Sequence, residues 1–163
     1  MMTNKIIIDA WNVIWKMPSL SHLIPNKLEY VRSKFNMIIK NYYYGKNVDY
    51  RIVYDGQPLI YPDTQKHKSK VSFSRNPEKA DDLIIKYLEK QQIPRDWTVI
   101  TSDRHLTHRA KNIGAHILST ESFIQKINKN LIKKKDAGKT DPQVKKEDIS
   151  YWLNKFNSTD FGQ

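Results

Sequence analysis

Cysteine is absent from this chain, which excludes disulfides, a thiol nucleophile and cysteine-bound zinc. The same absence fits a cytoplasmic protein. No apolar run approaches the ~20 residues that a membrane span requires. The opening MMTNKIIIDAW carries one lysine and three isoleucines before an aspartate, which does not read as a secretory leader. Neither GxGxxG nor GxxxxGKS/T occurs, and Asp9-Ala10-Trp11 lacks the second aspartate of a DxD phosphatase loop. Histidines do not pair at zinc spacing, and no internal repeat is visible.

What is present is charge. Lys and Arg total 28 against 17 Asp and Glu, a net +11 over 163 residues. An isoelectric point near 9.7 favours polyanionic partners, nucleic acid first. A merely solubilising lysine surface is the plainer alternative. Membrane surfaces fit less well, since no helix pairs a strong basic face with a strongly apolar one. The length suits one domain with a core and a short appendage.

Apolar periodicity alternates between strand and helix. KIII at 5–8 reads as a strand buried on both faces, ending at Asp9. A loop with Pro18 and Pro25 follows. A helix is expected from about residue 27, with Asn26 as N-cap, Glu29 three residues on, and Gly45 as its stop. DYRIVY at 49–54 and VSFS at 71–74 read as strands around a polar, proline-broken loop. Asn76-Pro77 predicts the start of a helix running to about Gln92. WTVIT at 97–101, a helix over 104–112 stopped by Gly114, HIL at 116–118, and a helix capped by Ser119 or Thr120 complete the pattern. The expectation is a three-layer α/β/α sandwich with a mainly parallel sheet. From Lys133 the chain turns basic and linker-like. A last helix carrying Trp152 would start near Pro142 and either dock or meet a partner.

Acids punctuate these elements: Asp9 in IIIDAWN, Asp55 in RIVYDG, Asp81-Asp82 in KADDLI, and Asp103 in TVITSDR. Parallel strands end at one edge, so the fold brings such carboxylates together. Two carboxylates about 5 Å apart repel by roughly 3 kcal/mol at an effective dielectric of ~20. A cluster of that kind calls for protons or a divalent cation. Each acid also has a plainer reading: Asp9 and Asp103 as caps of the following turns, Asn12 as a turn former rather than a holder of a water. On a helix, Asp81 shares a side with Ile84, Ile85 and Leu88, whereas Asp82 aligns with Glu78 and Lys86 on the solvent side. Asp81 is therefore the better ligand. Oxygen-only donors favour Mg²⁺ or Mn²⁺. Lys66, Lys68, Lys70, Arg75, Arg104 and Arg109 supply positive charge for a phosphate backbone or form a solvated face. His105 and His108 read as surface or RNA-contacting groups rather than general bases.

IIIDAWNVI, VYDG, the KADDLI helix start, and VITSDR followed by GAHILSTESF resemble the NYN-domain, YacP-like branch of the PIN-like ribonucleases. The resemblance covers roughly residues 5–127. It implies metal-dependent endonucleolytic cleavage of RNA, with Asp9, Asp81 and Asp103 as the metal-binding acids and Asn12 beside them. Asp55 stands where members often carry a further acid. Departures are DAWN in place of the usual DGYN, and KADD in place of TADE; neither removes a proposed ligand. On this reading residues 1–132 form the nuclease domain and 133–163 a basic linker with a helix. Lys68, Lys70, Arg75, Arg104 and Arg109 would track RNA, and Trp11, Trp15 or Tyr61 would stack on unpaired bases. Some relatives act on ribosome-associated RNA, which makes the ribosome a partner to consider. The competing readings are a catalytically inactive RNA-binding module and a toxin-type PIN nuclease silenced by a protein partner.

Overall fold

Three consecutive isoleucines leave the first strand no polar face, and in the computed structural model Ile7 and Ile8, on opposite faces, are both fully buried. The structure describes residues 4–56 and 70–136. Strand β1 (Asn4–Asp9) is the centre of a five-stranded sheet. It pairs on one side with β2 (Val48–Tyr54), which is followed outward by β3 (Val71–Phe73). On the other side it pairs with β4 (Trp97–Ile100), then β5 (His116–Leu118). The order is β3-β2-β1-β4-β5, and every pairing is parallel. The α/β class is the one expected, with a sheet more uniformly parallel than expected.

The described chain divides into two compact units, one built on Asn47–Glu121 with the residues before Ile14, the other on Ile14–Lys46 with the residues after Glu121. In the first, helices α4 (Ala80–Glu89) and α5 (Arg104–Ile113) cover one face of the sheet. Ile7, Val53, Trp97 and Val99 project into a cluster with Ala80, Ile84, Leu88, Leu106 and Ala110. Burying an aliphatic side chain of this size contributes about 1.5–3 kcal/mol, so this contact fixes both helices on the sheet. Gly114 ends α5 at φ 101°, a left-handed position that few other residues adopt without strain.

The second unit holds α2 (Pro18–Ser21), α3 (Leu28–Tyr43) and most of α6 (Thr120–Asp136). Its core is aromatic: Phe123 meets Tyr42 edge-on at 5.6 Å between ring centroids, and Lys46 lies 3.5 Å from the Tyr42 ring centroid. Phe123, Ile124, Ile127 and Leu131 are buried, as their helical spacing predicts. α6 continues through Lys133 to Asp136, so the first residues of the expected linker are helical. The expected helix around Trp152 lies outside the described residues.

Three local expectations are corrected. The segment before α3 contains two short helices, α1 (Ala10–Trp15) and α2, where a loop was read. Asn26 does not cap α3; the N-cap is Lys27, without a side-chain bond. The Leu23 carbonyl accepts from the backbone N–H of both Asn26 and Lys27, which places Asn26 inside the preceding turn, and Glu29 pairs with Arg32 instead. Helix α4 starts at Ala80 rather than Pro77 and ends at Glu89, short of Gln92. Asn76-Pro77 is a cis peptide in a turn closed by Glu78 N–H on the Arg75 carbonyl, at 2.8 Å.

The strand order puts the topological switch between β1 and β4: the chain winds outward from β1 to β3, then returns to the other side of β1. In open parallel sheets the crevice beyond the carboxyl ends at such a point is where ligands bind.

Candidate active site

Asp9 closes β1 on one side of this crevice. Because Ile8 pairs with Ile100, Thr101 emerges alongside it. The Thr101 hydroxyl donates to Asp9 Oδ2 at 2.9 Å and accepts the Asp103 backbone N–H at 3.1 Å. One hydroxyl therefore ties the end of β1 to the entry of α5. The Asp9 carboxylate also accepts the backbone N–H of Asn12, capping α1. Asp9 is only 7% exposed. Burial pushes its pKa up to about 6; the Thr101 bond opposes this, and the charges of Asp81 and Asp103 add to it.

Asp103 is the N-cap of α5, its Oδ1 accepting from Leu106 N–H at 2.8 Å. The capping readings of Asp9 and Asp103 are thus realised. They do not compete with cation binding, since each carboxylate has lone pairs beyond those used. Asp81 lies in the first turn of α4, half-buried, with Ile84, Ile85 and Leu88 buried on its side. Its pKa is raised by burial first and then by the Asp103 charge, while Arg109 and His105 draw it down. One donor atom each from Asp81, Asp103 and His105 lie within 4.8 Å of one another. Two carboxylates at that separation repel by roughly 3 kcal/mol at an effective dielectric of ~20. The positive N-termini of α4 and α5 offset part of this. Asp9 stands outside that tightest group but close enough to feel both acids. Hard oxygen donors under mutual repulsion fit a divalent cation such as Mg²⁺ or Mn²⁺.

Asn12 has a different task. Its Oδ1 accepts from Ser102 N–H at 2.9 Å and from the Thr120 hydroxyl at 2.7 Å. With two donors on that oxygen, Asn12 clamps the β4–α5 turn to the start of α6. The Ser102 hydroxyl donates to Glu121 at 2.7 Å and accepts Thr120 N–H at 3.0 Å. Asp55 is likewise a fastener: its Oδ1 accepts from the Ser74 hydroxyl at 2.7 Å and from Ala80 N–H at 3.2 Å, capping α4 from a distant strand. Trp11 donates its indole N–H to the Asp55 carbonyl at 3.0 Å and meets Tyr54 edge-on. Trp15 is 59% exposed.

The cations fall in several places. Arg75 and Arg104 are exposed, one just beyond β3 and one opening α5. Arg109 is bonded to Asp82 at 2.9 Å, which holds the Asp82 carboxyl below its usual range. Glu78 pairs with Lys86, on the side of α4 expected for it. Lys70 enters β3 from its start, about 10 Å short of the carboxyl edge, its Nζ 4.2 Å from the Tyr50 ring centroid. Lys66, Lys68 and Tyr61 lie outside the described residues. His105 is exposed, as the sequence suggests, while the parts played by Thr101 and Thr120 were not read from the sequence. The TSD run held the signal for Thr101, since a residue just past a strand end lies beside its neighbour's end, but only the β1–β4 register names that neighbour.

The profile of the YacP-like NYN domain matches residues 6–161, a longer span than that of the motifs. Two solved structures share the fold. One is a tryptophan-to-leucine mutant of Rae1 (YacP) from Bacillus subtilis, at TM-score 0.66 and 19% identity over 91% of this chain and 89% of that one. The other is Rae1 (YacP) from Bacillus subtilis, at TM-score 0.59 and 22% identity over 93% and 91% of the two chains. No curated protein matches.

Proposed function

The chain belongs to the YacP-like NYN family of PIN-like ribonucleases, and from that premise we propose that it is a divalent-cation-dependent endoribonuclease. The observation that carries this is the meeting of Asp81 and Asp103 at the switch-point crevice, with Asp9 near enough for its pKa to respond to both. Asp81 and Asp103 would hold the cation, Asp9 beside them. When bound, it supplies Lewis-acid charge to a phosphodiester and acidifies a water.

The protein's own groups set the stage for in-line hydrolysis. Thr101 orients Asp9, while Asn12 and Thr101 together fix the turn that presents Asp103. Asp82 holds Arg109 beside Asp81, where the guanidinium favours the ionised carboxylate. Arg75 and Arg104 contact flanking phosphates, and Lys68 and Lys70 add positive charge for the RNA backbone. Water oxygen bonds to phosphorus, its proton passes to solvent, and the P–O3′ bond breaks. A proton from solvent ends on the 3′ oxygen, leaving a 5′-phosphate and a 3′-hydroxyl. The setting we favour is cytoplasmic messenger RNA on or near ribosomes. Among the described residues no helix is long and apolar enough to cross a membrane. A binding-only module gains nothing from anionic side chains facing phosphates, so catalysis is the better reading.

The test is incubation of the purified chain with mixed RNA and DNA, with Mg²⁺, Mn²⁺ or EDTA, and mapping of product ends. Asp81→Asn should abolish cleavage with RNA affinity retained. Cleavage that survives EDTA, or an Asp81→Asn variant as active as the parent, overturns the proposal.

A further inference from the structure

His105 sits in the first turn of α5, two residues after the Asp103 cap, and is exposed. Four residues on, Arg109 occupies the same side of the helix and reaches Asp82 on α4. That side of α5 therefore faces the start of α4, and the imidazole is carried to Asp81. A ring nitrogen, an Asp81 oxygen and an Asp103 oxygen lie within 4.8 Å of one another. Ligands about 2.1 Å from an octahedral cation stand roughly 3 Å apart when adjacent and about 4.2 Å when opposite. Donors no more than 4.8 Å apart thus need to close by at most about 2 Å, a movement within reach of side-chain rotation by an exposed histidine.

Resting on the cation-dependent reading above, we propose that His105 is a nitrogen ligand of this centre, so that the protein prefers Mn²⁺ to Mg²⁺. The chemistry is one of donor type. Mg²⁺ takes oxygen donors and holds its waters, whereas Mn²⁺ shares that preference for oxygen but, as a transition-metal ion, also accepts an imidazole nitrogen. An all-carboxylate pocket discriminates weakly between the two. One nitrogen among the donors tips the balance, and it comes from α5 rather than from a strand end.

The test uses the full chain stripped of metal by a chelator. Mn²⁺ is titrated with free ion followed by electron paramagnetic resonance, then displaced with Mg²⁺. Pulsed resonance on the Mn²⁺ form reads ¹⁴N coupling from a bound imidazole, independently of any cleavage. The parent should favour Mn²⁺ by at least about tenfold and show the ¹⁴N signal. His105→Ala should lose the signal and about tenfold in Mn²⁺ affinity, with Mg²⁺ affinity nearly unchanged. A variant that keeps both the signal and the Mn²⁺ preference overturns the assignment. So does one that loses RNA affinity while binding Mn²⁺ as before, which would make His105 a phosphate contact. A parent chain that binds neither cation instead defeats the nuclease reading itself.

Discussion

Replacing Asp9 with asparagine should make the metal-free protein more stable at neutral pH while removing its activity. The Asp9 carboxyl has a pKa of about 6 in the fold against 3.8 for an unperturbed aspartate, chiefly from burial. The folded state thus binds this proton more tightly than the unfolded chain does. Its contribution is fully present below pH ~3.8 and is lost as pH rises through 6, because the unfolded chain releases the proton first. A difference of about two pKa units corresponds to about 3 kcal/mol, of which about half is lost between pH 5 and 7.5. Asparagine carries no charge to desolvate and keeps one oxygen for Thr101 or for the Asn12 N–H. Losing the second acceptor costs about 1 kcal/mol, so a net gain of about 2 kcal/mol is expected at pH 7.5. For a chain of this length that is a rise in Tm of roughly 4–8 °C. The assay is urea or thermal unfolding by circular dichroism in EDTA at pH 5.0, 6.0 and 7.5, for parent and variant. The parent should lose stability across this range, and the variant should lose much less of it. Saturating Mn²⁺ should then stabilise the parent more than the variant. A parent whose metal-free stability is flat between pH 5 and 7.5, or a variant no more stable at pH 7.5, refutes the reasoning.

Asn12→Ala should leave Ser102 N–H and the Thr120 hydroxyl without their acceptor, costing about 1–3 kcal/mol in denaturant unfolding. As a positioning change, it should lower the cleavage rate more than RNA affinity. Asp55→Ala removes the remote cap of α4 and should cost about 1–2 kcal/mol in unfolding experiments. Hydrogen exchange should increase first at the start of that helix. Gly114→Ala meets no neighbouring atom but must adopt φ 101°, and should lower stability by about 1 kcal/mol in thermal melts with cleavage unchanged.

Much of the fold is written locally. The isoleucine run at 6–8, the helical spacing of Phe123, Ile124, Ile127 and Leu131, and Gly114 after α5 each express a preference that neighbouring residues settle between them. Parallel strands alternating with helices then oblige Asp9 and Asp103 to share an edge, so the sequence was sufficient to nominate the acids. Where it misled, the deciding partner was remote. Asn76-Pro77 carries every local mark of a helix start, yet α4 begins at Ala80, where the Asp55 carboxylate from another strand accepts its first N–H. Asn12 reads as a turn former or a holder of water, and only the fold shows that its oxygen takes Ser102 N–H and the Thr120 hydroxyl. His105 is at the surface as expected, but only the α4–α5 contact shows that it lies near Asp81 and Asp103. Backbone preference is short in range and can be read along a chain. Which oxygen a distant donor takes, and which carboxylates must share a cation, depend on ångström-scale distances that only strand register and helix packing establish.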